Sequence, residues 1–191
     1  MVDVMHTRTQ LEKYFDIWGE VAVDAEGIVH VQGEVIAGRP LPEHMPVQFG
    51  QVTGDFKMAS PIQNNLTSLV GCPHTVMGSF RCVAPKIKTL VGAPKTVGKK
   101  CVIASDSLTS LEHLPEYGDT LLLRYTPHLP LLRLVEHPRV IWSYSPQYGG
   151  MEKGMAATHI LRQYTGKGRG GALLACAAKL ILNGYRENAK W

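Results

Sequence analysis

The chain has 191 residues, 45% of them hydrophobic, enough to bury the core of one domain or one and a half. Its 20 Lys+Arg against 16 Asp+Glu leave a net +4 and a pI near 8.9, which permits contact with nucleic acid without marking a dedicated binder. No apolar run reaches the roughly 18 residues of a membrane span, and the N-terminus lacks a basic segment followed by an apolar one, so a soluble cytosolic protein is expected.

Thr7 or Thr9 can cap a short helix from Gln10 to Trp18, with Leu11, Tyr14, Phe15 and Trp18 on one face and Gly19 as its stop. Glu20 to Ile36 reads as two short strands turning near Ala25-Glu-Gly27. Residues 1–40 would then form a cap of helix and β-hairpin over the open end of the central segment. Pro40, Pro42 and Pro46 lead into that segment.

Residues 41–143 repeat themselves. Leu66-Thr-Ser-Leu69-Val-Gly71-Cys-Pro73 is followed by Ile87-Lys-Thr-Leu90-Val-Gly92-Ala-Pro94 and by Leu108-Thr-Ser-Leu111-x-x-Leu114-Pro115. Leu66, Ile87, Leu108 and Leu129 are each 21 residues apart. After each punctuating Pro comes a β-prone run: Val76 to Cys82, Val97 to Ile103, Thr120 to Tyr125. In the first, Val76, Gly78, Phe80 and Cys82 alternate with Met77, Ser79 and Arg81, the pattern of a strand covered on one side. At the 21-residue offset Phe80 maps onto Cys101 and Leu122, and the consecutive Leu121, Leu122 and Leu123 predict a slipped register or two-sided burial in the third copy.

An earlier copy, Val52-Thr-Gly54-Asp-Phe56-Lys-Met58, lies 24 residues upstream of Val76 to Cys82, the extra residues falling in the loop Ser60 to Asn65. Leu129 to Val135 with Val140-Ile-Trp142 makes a degenerate last turn. One such turn cannot bury its own apolar face, whereas stacked neighbours share a core. The prediction is an α+β repeat: a short leucine-rich-repeat-like β-solenoid of about four to five turns, with a parallel sheet.

Ser143 to Gly150 reads as a linker. Residues 150–191 form a C-terminal helical segment: Glu152 to Gln163 with Met155, His159, Ile160 and Leu161 inward, a break at Thr165 to Gly171, and Ala172 to Asn183 with Gly184 as its C′ residue. This pair should close the other end. Cys72, Cys82, Cys101 and Cys176 form no C-x-x-C, and they read as buried apolar residues in a reducing compartment. No metal or other cofactor is implied.

The Leu66 to Cys82 motif, repeated in its first half at Ile87 to Val97, resembles a group of bacteriophage proteins with degenerate leucine-rich repeats. Pro46 to Phe56 resembles that group's opening turn, and Gly166 to Cys176 with Glu187 to Trp191 resembles a closing segment of phage proteins. The resemblance implies a viral origin and the host cytoplasm, or the virion, as location. It brings no catalytic activity.

Three sets of residues could bind something. Gly166-Lys167-Gly-Arg169-Gly-Gly171 before a helix reads as a flexible basic turn or as a phosphate or nucleic-acid contact. Lys86, Lys88, Lys95, Lys99 and Lys100 suggest one solvated edge of the solenoid or a surface for an acidic partner. Tyr125, His128, Arg133, His137, Trp142 and Tyr144 read as core packing or as interface anchors. No catalytic triad, paired carboxylate or metal spacing stands out. A non-enzymatic protein that binds a host protein through its repeat surface is the leading expectation, ahead of a virion or assembly component and of a nucleic-acid binder.

Overall fold

Val35, Phe56, Phe80, Cys101, Leu121 and Val140 stand in register in successive strands as one buried column. The structure, a computed structural model, describes residues 4–58, 65–137, 139–143, 150–165 and 170–191. Its elements are α1 (Val4–Leu11), β1 (Asp16–Val23), β2 (Val29–Ile36), β3 (Phe49–Val52), β4 (Phe56–Met58), β5 (Thr75–Val76), β6 (Phe80–Val83), β7 (Thr96–Val97), β8 (Cys101–Ala104), β9 (Glu116–Tyr117) and β10 (Leu121–Arg124). A 3-10 turn (Leu132–Glu136), β11 (Val140–Ser143), α2 (Gly150–Arg162) and α3 (Gly171–Leu182) complete the chain order.

The strands form two parallel ladders, β3-β5-β7-β9 and β4-β6-β8-β10-β11, and β2 pairs with the head of both. This is a β-solenoid of about five turns with helices at its C-terminal end. Each turn runs through one ladder, bends, runs through the other, and returns by the Leu-x-x-Leu segment. Leu66, Leu69, Ile87, Leu90, Leu108 and Leu111 are each at most 1% exposed. Each such side chain stabilises by about 1.5–3 kcal/mol when fully buried, and only the stacked neighbours supply that burial. Phe15, Phe49, Phe56 and Phe80 fill the first turns, with Phe56 and Phe80 stacked at 6.2 Å.

The bend between the ladders explains the recurring glycine. A Cβ on Gly78 would lie 2.5 Å from the Gly54 carbonyl oxygen, one on Gly98 2.1 Å from that of Met77, and one on Gly118 2.2 Å from that of Gly98. The corners stack backbone on backbone, and a side chain there would force neighbouring turns apart.

The third copy is indeed slipped. Cys101 pairs with Leu121 and Ile103 with Leu123, an offset of 20, so Leu122 joins the outward row beside Val102. Three consecutive leucines satisfy either register; the close corner at Gly118 selects this one.

Two expectations need correction. The N-terminal helix ends at Leu11, and Trp18 and Gly19 belong to β1, which pairs antiparallel with β2 throughout its length. Leu11 and Phe15 are buried as expected, but Trp18 is 60% exposed. Strand pairing across Gly19 and Gly33 outweighs a helical spacing that only part of the segment obeys. The turn of this hairpin is held by Asp24, whose carboxylate accepts from the Glu26 and Ile28 N–H groups.

In α2 the inward face is Gly154, Ala157, Thr158, Ile160 and Leu161, while Met155 and His159 are exposed. The helix phase is set by Trp142, whose ring lies where a Cβ on Gly154 would be, and whose indole N–H donates to Thr158 Oγ1. At the end of α3, Gly184 has φ 86° and its N–H donates to the Ile181 carbonyl, while the Tyr185 N–H donates to that of Leu180. Gly184 is thus the C′ residue as expected, and the two bonds make a Schellman closure.

Candidate functional site

The lysines do not share one edge. Lys86 and Lys88 flank buried Ile87 after β6, Lys95 precedes β7, and Lys99 and Lys100 occupy the corner between β7 and β8. All five are exposed, at three different stations around the turn. Lys86 Nζ donates to Asn65 Oδ1 at 3.0 Å.

Tyr125 and Trp142 are core residues, 3% and 4% exposed, with their rings edge to face at 6.0 Å. Their side chains are spent on core packing and are not offered to a partner as interface anchors. Arg133 is different: its guanidinium lies 5.6 Å from the centre of the Trp191 ring and 3.9 Å from the Glu112 carboxylate. It fastens the C-terminal residue to the array. Tyr117 and His137 stack, and the tyrosine oxygen lies 3.1 Å from His137 Nδ1. Burial pushes the Tyr117 phenol up to about 12 and draws His137 below its ordinary value. Tyr144, Lys167 and Arg169 lie outside the described residues, as do 59–64 and most of the predicted linker.

The repeat builds a different surface, which sequence reasoning passed over. Leu69-Val70-Gly71, Leu90-Val91-Gly92 and Leu111-Glu112-His113 are equivalent corners, and Gly71, Gly92 and His113 all have positive φ, at 101°, 86° and 62°. The turned backbone sends the middle residue outward. Val70 and Val91 are therefore 55% and 49% exposed. Beside them runs a groove of about 580 Å³, whose polar lining includes Gln48, His74, Lys95, His113 and Glu116. His74, Lys95 and Glu116 occupy one station in successive turns, because the Lys95 N–H donates to the His74 carbonyl and the Glu116 N–H to that of Lys95. The signal was present in the sequence: at the repeat offset His113 stands in the glycine slot, and the residue before a left-handed corner is bound to face outward.

This flank offers apolar contact, mixed charge and exposed side chains on a stiff backbone. Among the described residues no group of three or more His, Cys, Asp or Glu side chains could hold a metal ion. No helix is long and apolar enough to cross a membrane among those residues. The four cysteines are free and buried, and burial pushes the Cys82 and Cys101 thiols up to about 12 and Cys72 upward as well. They are poor nucleophiles in the folded chain. Comparison with family models, with curated proteins and with solved structures found no match.

Proposed function

We propose that this chain is a non-enzymatic protein-binding scaffold whose partner engages the flank carrying Val70 and Val91. The observation behind the reading is that pair: two apolar side chains exposed one turn apart, on corners fixed by left-handed glycines, beside the His74–Lys95–Glu116 row. Isolated exposed valines are ordinary on any surface, but repeat-spaced ones on a rigid stack form a template that a partner can match. The likeness of Leu66 to Cys82 to the phage repeat motif supports a phage-encoded protein acting on a host protein. The separation of the lysines around the turn speaks against a continuous phosphate track.

The test is capture from bacterial lysate by the immobilised chain and by its Val70→Asp/Val91→Asp variant. A near-stoichiometric protein retained by the first and reduced at least about tenfold on the second, with unchanged Tm, is the expected result. Equal recovery on both would count against this flank.

A further inference from the structure

We propose that this chain associates head to tail with further copies of itself, the outer face of β1 in one copy covering the outer face of α3 in the next. Both faces are separate from the Val70–Val91 flank. α3 is apolar around its whole circumference except at Lys179, and a helix of that kind belongs in an interior. Only one side of it is covered. Cys176 and Leu180 are buried, while Leu174, Ile181 and Leu182 are 75%, 41% and 82% exposed. With Ala178, also exposed, they keep i, i+4, i+7, i+8 spacing, so they form one stripe facing away from the buried side. Leu174 and Leu182 lie about 12 Å apart along the axis, and the small Ala178 leaves a notch between them.

β1 offers the counterpart. Trp18, Glu20 and Ala22 alternate along the strand, so they share its outer face, and all three are exposed. Trp18 is 60% exposed, and its ring is the side chain that the Ala178 notch would receive. Side chains two apart on a strand are about 7 Å apart. With Trp18 on the notch, Glu20 therefore comes within reach of Lys179, the residue beside Ala178.

Charge selects this pairing. Residues 14–38 hold five acids and no Lys or Arg, whereas residues 171–191 hold three Lys or Arg and one Glu. Asp16 and Glu34 are spent on Arg39 and Lys57, and Asp24 on the hairpin turn and His30. That leaves Glu20 and Glu26 exposed and without an ion pair among the described residues. At the other face Lys190 is paired with Glu187, which leaves Lys179 and Arg186. Two α3 faces brought together would set these cations against each other, and two β1 faces would do the same with the carboxylates. β1 on α3 joins opposite signs around an apolar centre. Because the joined faces differ, the contact is heterologous, and each copy keeps one face free for the next.

Sedimentation velocity of the full chain at low salt tests this. The sedimentation coefficient should rise with protein concentration past that of a dimer, and fall back as salt is added. Trp18→Asp blocks one face and Leu174→Glu with Leu182→Glu the other, so each variant alone should be monomeric at unchanged Tm. Mixed in equal amounts, the two should form a one-to-one dimer that grows no further. Glu20→Lys and Lys179→Glu should each weaken association at least about tenfold, and both together in one chain should restore it. Val70→Asp with Val91→Asp should assemble as the wild type does. A wild-type chain that stays monomeric to about 1 mM, or a mixture that stays monomeric, would overturn the proposal. So would association lost in one blocked variant and kept in the other, which is the mark of a like-on-like contact.

Discussion

The Tyr125 hydroxyl donates to the Asn188 side-chain carbonyl at 2.8 Å, joining residues 63 apart in sequence. The Asn188 amide completes the arrangement by donating to the Thr126 and Leu129 carbonyls at 3.0 and 2.9 Å. Asn188 is 2% exposed, so its polar atoms are matched one by one where water does not reach. The segment is held further by the Leu131 N–H on the Asn188 carbonyl and the Leu132 N–H on that of Lys190. Asn188→Leu would leave the Leu129 carbonyl and the Tyr125 hydroxyl unmatched, while the Thr126 carbonyl keeps the Leu129 N–H, a loss of about 2–4 kcal/mol. Tyr125→Phe removes one bond and should cost about 1–2 kcal/mol. Urea unfolding gives both figures, and hydrogen exchange should show residues 185–191 opening before the central strands. Equal stability of Asn188→Leu and wild type would refute this account.

Two glycine substitutions separate conformational strain from lack of space. Gly27 has φ 79° with open space around its Cβ position, so Gly27→Ala carries only the left-handed penalty, about 1–2 kcal/mol. A Cβ on Gly78 would sit 2.4 Å from Asp55 Oδ1 and 2.5 Å from the Gly54 carbonyl oxygen. Backbone cannot yield there without parting two turns, so Gly78→Ala should cost more, at least about 3 kcal/mol. Asp55 is itself committed, accepting from the Ser79 N–H and paired with Lys57. Thermal unfolding of the two variants side by side decides the order.

The stack was legible because its period is written in residues that have no choice. Phe56, Phe80 and Cys101 must face inward, and Gly71 and Gly92 must take a conformation that other residues resist. Where the chain has a choice, the sequence is silent. Leu121, Leu122 and Leu123 fit either register until Gly118 closes on Gly98. The phase of α2 depends on Trp142, which arrives from another element, and no local periodicity records it. The site was harder to read than the fold for a related reason. Basic and aromatic side chains draw attention, yet Tyr125 and Trp142 serve the core, while plain Val70 and Val91 reach solvent.

His113 is the non-glycine residue with positive φ among those described, at 62°. It stands where the two preceding turns have glycine, and its side chain is exposed. His113→Gly should remove a left-handed penalty of about 1 kcal/mol, partly offset by the greater freedom of glycine in the unfolded chain. The expected net gain is a few tenths of a kcal/mol up to about 0.5, read from the urea midpoint. Destabilisation by the same substitution would mean that the imidazole makes a contact worth more than the strain.

Alkaline pH should loosen the stack from its core. Burial holds the Cys82 and Cys101 thiols at about 12 and the Tyr117 and Tyr125 phenols at about 12, against ordinary values of 9.0 and 10.0. These folded values are raised, so between the ordinary value and 12 the unfolded chain releases protons that the folded chain keeps. Stability from these groups is therefore complete below about pH 9 and declines as pH rises toward 12, at ~1.4 kcal/mol per pH unit for each group fully in its window. Urea midpoints should be level from about pH 7.5 to 8.5 and fall steeply above 9. Cys101→Val, which keeps the inward slot apolar between Phe80 and Leu121, should lessen that slope. A midpoint that stays level to pH 11 would mean that these thiols titrate freely and that the column is not closed to water.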